Sequence, residues 1–257
     1  MSLVVRKFGG ACFEQLEGYK IVAEILAGAK ERQAVVVSAR RGMTDQLLAQ
    51  VEALGGTGSR YSDQVVATGE LQSASLLLVA LNTLGVAAEF IPAEDIFETD
   101  GVLGDARVTV VHTAKVLAAL KRGEIPIVPG FYGAGTSSRI VTFKRGGSDY
   151  SAVALGIALG ATHVELCKAD VDGIFDKDPN LDSAAEKFDF LSHERALEIA
   201  RAGGKVLQAD SAELALRANM PLVIKPAFMQ GSGTWVGWPA APETSPPELK
   251  ETAVRAE

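Results

Sequence analysis

Two short segments of the sequence combine a cation with paired glycines, and these residue types suit phosphate chemistry. The first segment is Lys7-Phe8-Gly9-Gly10, and the second is Lys144-Arg145-Gly146-Gly147-Ser148-Asp149. Glycine lets backbone N–H groups approach phosphate oxygens closely, while the adjacent lysine or arginine neutralises charge. Two such loops, far apart in the sequence, predict phosphoryl transfer.

Neither segment is a Walker A loop, which requires Gly-Lys-Ser/Thr at a fixed distance after an earlier glycine. Gly203-Gly204-Lys205 has a similar composition, but it continues with Val206 instead of serine or threonine. We therefore do not expect a nucleotide kinase of the P-loop type.

The bulk composition narrows the class of protein. The chain has 257 residues, 47% of them hydrophobic, which is enough for one large α/β core. A net charge of −7 argues against a nucleic-acid surface.

Cys12 and Cys167 belong to no Cys-x-x-Cys or Cys/His cluster, so we expect reduced thiols and no structural zinc. No run approaches the roughly 20 uninterrupted apolar residues of a membrane span, and no secretory signal is visible, which favours a cytoplasmic protein without membrane contact.

Apolar β-branched runs alternate with helical patterns, which predicts a parallel or mixed sheet covered by helices on both faces. The predicted strands are Leu3–Phe8, Ala34–Ser38, Val86–Ile91, Ile125–Val128, His163–Lys168 and Leu222–Lys225. The predicted helices are Glu14–Arg32, Thr44–Ala53, Ser62–Leu84, Val110–Arg122, Tyr150–Leu159, Ser192–Ala202 and Ala209–Ala218. The segment Phe131–Phe143 is predicted to form a hairpin that presents the second glycine loop. Residues 1–237 are predicted to form one domain, followed by a Pro-, Glu- and Ala-rich tail over 238–257.

Seven motifs occur in the order seen in aspartokinases. They are Lys7-Phe8-Gly9-Gly10, Val36-Val37-Ser38-Ala39 with Thr44-Asp45, Thr68-Gly69-Glu70, Gly130-Phe131-Tyr132-Gly133, Arg145-Gly146-Gly147-Ser148-Asp149, Asp170-Val171-Asp172-Gly173 and Asp178-Pro179. From about residue 3 to about residue 236, the chain resembles the catalytic domain of an aspartokinase, in the amino-acid kinase superfamily. The resemblance implies a three-layer α/β/α sandwich with a mainly parallel central sheet. It also implies ATP and Mg²⁺ as cofactors, and phosphorylation of an amino-acid carboxylate, most simply L-aspartate to 4-phospho-L-aspartate in lysine biosynthesis.

The resemblance also implies roles for individual residues. Lys7 is similar to the lysine that contacts the transferring phosphoryl group, and Lys205 to the lysine that contacts nucleotide phosphates. Asp149 would hold these two ammonium groups in register. No general base is needed, because the acceptor carboxylate is already ionised near neutral pH.

Two further groups of residues are implied for the ligands. For the amino acid, Arg145 would bind the α-carboxylate and Glu70 the ammonium group, with Ser38, Thr44 and Ser148 as additional contacts. For the nucleotide, the expected contacts are Lys7, Gly9, Gly10, Ala169, Asp170, Phe175, Lys205 and Val206. No side chain is expected to ligate the metal directly.

The sequence departs from the aspartokinase pattern in places. Ala11-Cys12 replaces the usual Thr-Ser, which removes two hydroxyl donors that we expect beside the phosphate, and Ala169-Asp170 replaces Thr-Asp. Gln208-Ala209 replaces His-Pro. Alternative interpretations are a kinase for another small acidic or phosphorylated metabolite and a nucleotide-binding regulatory pseudokinase.

Regulation and assembly give two last expectations. About 20 residues follow Gly237, too few for the ACT domains that bind the regulatory amino acid in typical aspartokinases, so we expect no in-chain ACT module. The predicted helix Ser62–Leu84 carries five leucines, more than one buried stripe requires, which indicates a homodimer interface. These leucines are Leu71, Leu76, Leu77, Leu78 and Leu81.

Overall fold

A computed structural model describes residues 2–136, 139–177, 179, 181–204 and 206–237. The proposed tail over 238–257 lies outside the described residues, as do Lys205 and Asp178.

The centre of the molecule is an eight-stranded sheet in the strand order β10-β12-β11-β9-β1-β2-β6-β3. Its strands are β1 Leu3–Phe8, β2 Arg32–Val37, β3 Ala88–Phe90, β6 Ile125–Pro129, β9 His163–Lys168, β10 Phe190–Leu191, β11 Leu222–Pro226 and β12 Thr234–Val236. All neighbouring pairs are parallel except β11 and β12. The prediction of a mainly parallel sheet is confirmed.

Strand β2 shows why the sheet lies in the middle of the molecule. Ala34 and Val36 face one hydrophobic core, whereas Val35 and Val37 face a second core on the opposite side. All four side chains are fully buried. A strand that is apolar at every position is stable only when both faces of its sheet are covered.

Helices provide that cover and complete the three-layer sandwich. The helices are α1 Leu16–Gly28, α2 Met43–Ala53, α3 Arg60–Thr83, α4 Ala114–Lys121, α5 Gly147–Leu159, α6 His193–Arg201 and α7 Ala209–Ala218. Helices α1 and α3 pack on the face that buries Val35, whereas α4, α5, α6 and α7 contribute to the core that contains Val36. Helix α2 packs on the outside of α3.

A second, four-stranded sheet in the order β5-β4-β7-β8 extends the structure beside α3. Its strands are β4 Phe97–Thr99, β5 Val108–Val111, β7 Tyr132–Ala134 and β8 Ile140–Thr142. The predicted hairpin is confirmed, because β7 and β8 pair antiparallel. The prediction that a helix begins at Val110 was wrong: Val110 and Val111 lie in β5, and α4 begins at Ala114. A run of β-branched residues suits a strand better than a helix.

Helix α5 lies against β1, β2 and β9 with nearly all of its residues buried. From Ala152 to Leu159 every residue is apolar, as expected of a helix enclosed in the core. The helix begins at Gly147, three residues before the predicted start, so Ser148 and Asp149 belong to its first turn. Gly146 precedes it with a φ of +91°, a conformation that glycine adopts readily. The second glycine loop therefore leads directly into a central helix.

Helix α3, with 24 residues, is long and apolar enough to cross a membrane by length and composition alone. Half of its most apolar window is buried inside the protein, as in the core helix of a globular domain. Leu77 and Leu81 are fully buried, whereas Leu71 and Val79 are exposed. Two of the five leucines that indicated a dimer interface thus belong to the core.

Candidate active site

A cleft of about 730 Å³ opens where several parallel strands end. Lys7 near the end of β1, Ser38 after β2 and Lys168 at the end of β9 line its floor, together with the first turn of α5. Helices α2 and α3 and the second sheet form its walls. Ligands of α/β sheets commonly bind at the carboxyl ends of strands, so this cleft is the candidate active site.

A buried cluster of three charges lies on the floor of the cleft. The ammonium group of Lys7 forms an ion pair with Oδ1 of Asp149 at 2.6 Å, and Lys168 donates to Oδ2 at 3.0 Å. Burial opposes ionisation of Asp149, but Lys168 and Lys7 together lower its pKa to about 2. Burial also lowers the pKa of Lys7, against the attraction of Asp149. The cluster carries two cations on one carboxylate.

The sequence interpretation placed Lys205 beside Asp149, and it did not include Lys168. Lys205 lies outside the described residues, so the structure gives no position for it. Lys168 ends a predicted strand, and the next two residues, Ala169 and Asp170, are expected to contact the nucleotide. A lysine in this position was the sequence signal that could have identified Lys168 as a site residue. Its pairing with Asp149, 19 residues away, depends on α5 packing against β9.

The first glycine loop is held by backbone contacts to β9 and to the loop that follows β2. The N–H of Gly9 donates to the carbonyl of Cys167 at 3.2 Å, and the N–H of Arg41 donates to the carbonyl of Gly10 at 3.0 Å. A Cβ atom on Gly10 would lie 2.4 Å from the carbonyl oxygen of Ala39, closer than real contacts allow. Glycine at position 10 is therefore required by close backbone packing, which fixes the loop above Lys7.

The neighbouring cysteine does not face the cleft. Cys12 is buried among apolar residues, and its thiol donates to the carbonyl of Cys167 at 3.7 Å. The sequence predicts that a hydroxyl donor is missing beside the phosphate at this position. The thiol packs in the core behind the loop, close enough to Lys7 and Lys168 for both cations to act on its pKa.

Glu70 is buried in the wall that α3 forms, and it faces the same cleft. The N–H of Ala39 donates to its Oε1 at 3.1 Å, whereas Oε2 is buried without a hydrogen-bond partner among the described residues. Burial raises the pKa of this carboxyl to about 8, and the Ala39 N–H only partly offsets the rise. A buried acid with a free oxygen is a site for a cationic group, which would restore its ionised form.

Three more of the implied substrate residues, Ser38, Thr44 and Ser148, line the cleft with Glu70. Arg145 also lines it, with its guanidinium 3.2 Å from the carboxylate of Asp45 and its side chain mostly exposed. The structure thus brings together all five residues implied for the amino acid, although Arg145 is paired with a carboxylate of the protein.

The residues implied for the nucleotide are more dispersed. Ala169 and Asp170 directly follow Lys168 outside the lining of the cleft, and the guanidinium of Arg41 lies 2.6 Å from Asp170. Phe175 is partly buried and forms a β-bridge with Lys187. Val206 is partly buried against the main core. Sequence reasoning missed Arg41, which lines the cleft and links its floor to the segment after β9.

The chain resembles known proteins over nearly its whole length. Residues 2–226 match the amino acid kinase family. The chain is 35% identical to the aspartate kinase of Pseudomonas fluorescens over 243 residues, and 36% identical to the aspartokinase of Thermus thermophilus over 241. In both cases the alignment covers 92% of this chain and 59% of the relative. The chain therefore spans less than two thirds of the length of these curated relatives.

A solved structure gives the same result for the fold. E. coli aspartokinase III in complex with aspartate and ADP superposes with a TM-score of 0.84 at 25% sequence identity. The match covers 93% of this chain and 65% of that one.

Proposed function

The chain belongs to the amino acid kinase family, and from this premise we propose that it transfers the γ-phosphoryl group of ATP to an amino-acid carboxylate. The proposed acceptor is L-aspartate and the product 4-phospho-L-aspartate. One observation carries the proposal: the buried carboxyl of Glu70, one oxygen of which has no partner in the part of the chain that the structure describes, faces the same cleft as the cations Lys7 and Lys168. Such a cleft suits an ammonium group beside Glu70 and phosphate beside the two lysines. The similarity to aspartokinases supports aspartate as the acceptor.

In the proposed mechanism, Glu70 and Arg145 orient the acceptor. The substrate ammonium group pairs with Glu70 and stabilises its ionised form. The α-carboxylate of the substrate displaces Asp45 and forms the ion pair with the guanidinium of Arg145. The hydroxyl groups of Ser38, Thr44 and Ser148 are neighbouring hydrogen-bond donors. The side-chain carboxylate of the substrate then points toward Lys7.

The transfer step needs charge stabilisation and alignment more than acid–base chemistry. A carboxylate oxygen of the acceptor attacks the γ-phosphorus, and the bond from that phosphorus to the bridging oxygen of ADP breaks. ADP leaves with the electron pair, so no proton is transferred. Lys7 lies where negative charge develops, and the N-terminal end of α5 adds a favourable dipole.

Magnesium enters this proposal as part of the nucleotide substrate. Among residues 2–136, 139–177, 179, 181–204 and 206–237, no group of three or more His, Cys, Asp or Glu side chains is placed to hold a metal ion. The carboxylates nearest the phosphate region, Asp149 and Asp170, are already paired with cations. Mg²⁺ would therefore be held by phosphate oxygens and water, which suits its reluctance to dehydrate.

The test is ATP turnover with aspartate, glutamate, N-acetylglutamate and UMP, with hydroxylamine present to trap any acyl phosphate as a hydroxamate. We expect a hydroxamate with aspartate. A product with UMP only would establish a different kinase, and ATP binding without turnover on any acceptor would establish a regulatory protein.

Self-association is a further part of the proposal. Leu71 and Val79 lie on the exposed side of α3, two turns apart, and would form the centre of a symmetric contact between two copies. Light scattering at micromolar protein concentration tests this, since a monomer mass would reject it. A place in lysine biosynthesis rests on the resemblance to aspartokinases alone, whereas the proposed cytoplasmic location rests on the sequence expectations given above.

A further inference from the structure

Lys168 is placed like a residue that binds the transferring group, although no role was expected for it. It is the last residue of β9, the strand beside β1, and its side chain lines the cleft together with Lys7. The side chain is 17% exposed and the Lys7 side chain 7% exposed, so both ammonium groups are largely withdrawn from bulk water. Asp149 lies between them and binds one lysine through each oxygen.

The charges of this cluster do not balance. Two ammonium groups face one carboxylate, which leaves one positive charge in excess. Glu70 lines the same cleft, but among the described residues its carboxyl accepts from the Ala39 N–H and forms no ion pair with either lysine. The first turn of α5 contains Asp149 and adds the positive end of a helix dipole to the same region. An excess cation in a buried site is costly unless an anion joins it.

A purely structural role would not require the second lysine. Lys7 alone neutralises Asp149, and removing a further ammonium group from water costs free energy that its attraction to a shared carboxylate does not fully recover. The free-energy cost of burying the second ammonium group is explained if the site binds an anion that carries more than one negative charge.

We propose that Lys168 is a catalytic residue that contacts the transferring phosphoryl group opposite Lys7, with Asp149 holding both ammonium groups in position. The inference rests on the proposed phosphoryl transfer and names a residue beyond those that the family resemblance implies. As the acceptor oxygen bonds to phosphorus and ADP departs, negative charge spreads over the phosphoryl oxygens, and Lys168 stabilises that charge without giving up a proton.

The experiment compares Lys168→Met and Lys168→Arg with wild type and with a matched control, Lys225→Met. Lys225 also shares a carboxylate, Glu165, with another cation, Arg6, but it lies on β11 outside the cleft lining. We expect Lys168→Met to lower kcat by roughly 10²-fold, the effect of removing one transition-state donor. Lys168→Arg should recover part of that loss because it keeps the charge, and Lys225→Met should keep wild-type kcat. Wild-type kcat in Lys168→Met would overturn the inference.

A second readout does not depend on the acceptor. Calorimetry measures the ratio of the Kd for ADP to the Kd for a non-hydrolysable ATP analogue, each with Mg²⁺. We expect Lys168→Met to lower this ratio several-fold and Lys225→Met to leave it unchanged. An unchanged ratio in a folded Lys168→Met protein would show that the lysine only supports Asp149, and this would overturn the inference. If wild type forms no acyl phosphate with any acceptor, the proposed function fails, whereas this ratio still tests Lys168.

Discussion

The guanidinium of Arg145 lies 3.2 Å from the carboxylate of Asp45, so the cation proposed to hold the acceptor is already paired inside the cleft. Both side chains are mostly exposed, and exposed ion pairs are worth about 0–1 kcal/mol. The substrate carboxylate must replace Asp45, which makes this pair a modest competitor for binding.

We therefore predict that Asp45→Asn lowers the KM for the acceptor about two- to fivefold with little change in kcat, because the competing charge is removed. Steady-state kinetics at saturating ATP measures this. Glu52→Gln is the matched control, since Glu52 lines the same cleft and its loss changes the local charge equally. A higher KM in Asp45→Asn would mean that Asp45 itself contacts the substrate.

Glu70 predicts a pH dependence of acceptor binding. Its carboxyl is protonated below its pKa of about 8, and the substrate ammonium group requires the ionised form. The affinity for aspartate should therefore rise as the pH increases from 6.5 to 8.5, measured by calorimetry in the presence of ADP. Glu70→Gln should bind aspartate weakly throughout this range, and a pH-independent wild-type affinity would contradict the assigned role.

The same carboxyl predicts how stability changes with pH. Between about pH 4.3, where an exposed glutamate titrates, and about pH 8, the folded protein holds a proton on Glu70 that the unfolded chain releases. The contribution of this group to the free energy of unfolding is thus present at low pH and decreases by up to about 1.4 kcal/mol per pH unit across that window. Denaturant unfolding at pH 5, 6 and 7 should show a steeper decline for wild type than for Glu70→Gln. Parallel curves would show that Glu70 is ionised in the folded state.

Two adjacent glycines allow a matched test of the first loop. A Cβ on Gly10 would lie 2.4 Å from a backbone oxygen, whereas a Cβ on Gly9 would lie 3.6 Å from the Lys7 ammonium group, an ordinary contact. Gly10→Ala should lower the free energy of unfolding by about 1–3 kcal/mol, the usual cost of overpacking, and displace the loop from the cleft. Gly9→Ala should keep wild-type stability in denaturant titrations. Equal stabilities of the two variants would show that the loop is loosely held.

The two cysteines should be inert in the folded protein. Burial raises the pKa of Cys12 to about 11 and of Cys167 to about 12, so neither forms a thiolate near neutral pH, and neither is accessible. A chromogenic disulfide reagent should therefore react slowly with native protein and titrate two thiols in guanidinium chloride. Rapid native reaction of one thiol would show that the glycine loop opens. Cys12→Ser then identifies which thiol has reacted.

Local patterns were sufficient to predict the fold class and several elements. Strand β9 and helix α7 have the predicted bounds, because each is one uninterrupted pattern between turn residues. The start of α5 was missed, since Gly146 begins the helix through a positive φ and not through a Ser or Asp cap. The strand at Val110–Val111 was assigned to a helix because short apolar runs do not distinguish the two structures by periodicity.

The site was predicted only in part, because local sequence patterns do not show which distant residues meet in the fold. Glu70 and Arg145 lie in recognisable motifs, and the structure brings both to the cleft. The contact between Lys168 and Asp149 results from the packing of β9, β1 and α5, which no local pattern encodes. The same holds for the pairing of Arg41 with Asp170, 129 residues apart in sequence.

Asp63, a buried residue of α3, accepts hydrogen bonds from the N–H groups of Gly104 at 2.9 Å and Thr142 at 2.7 Å. These bonds fasten the edge of the second sheet to the helix that also carries Glu70. The smaller sheet is therefore anchored to α3, and a displacement of one against the other would break both hydrogen bonds. Helix α2 packs on this same helix, so α3 joins two walls of the cleft and holds Glu70 between them.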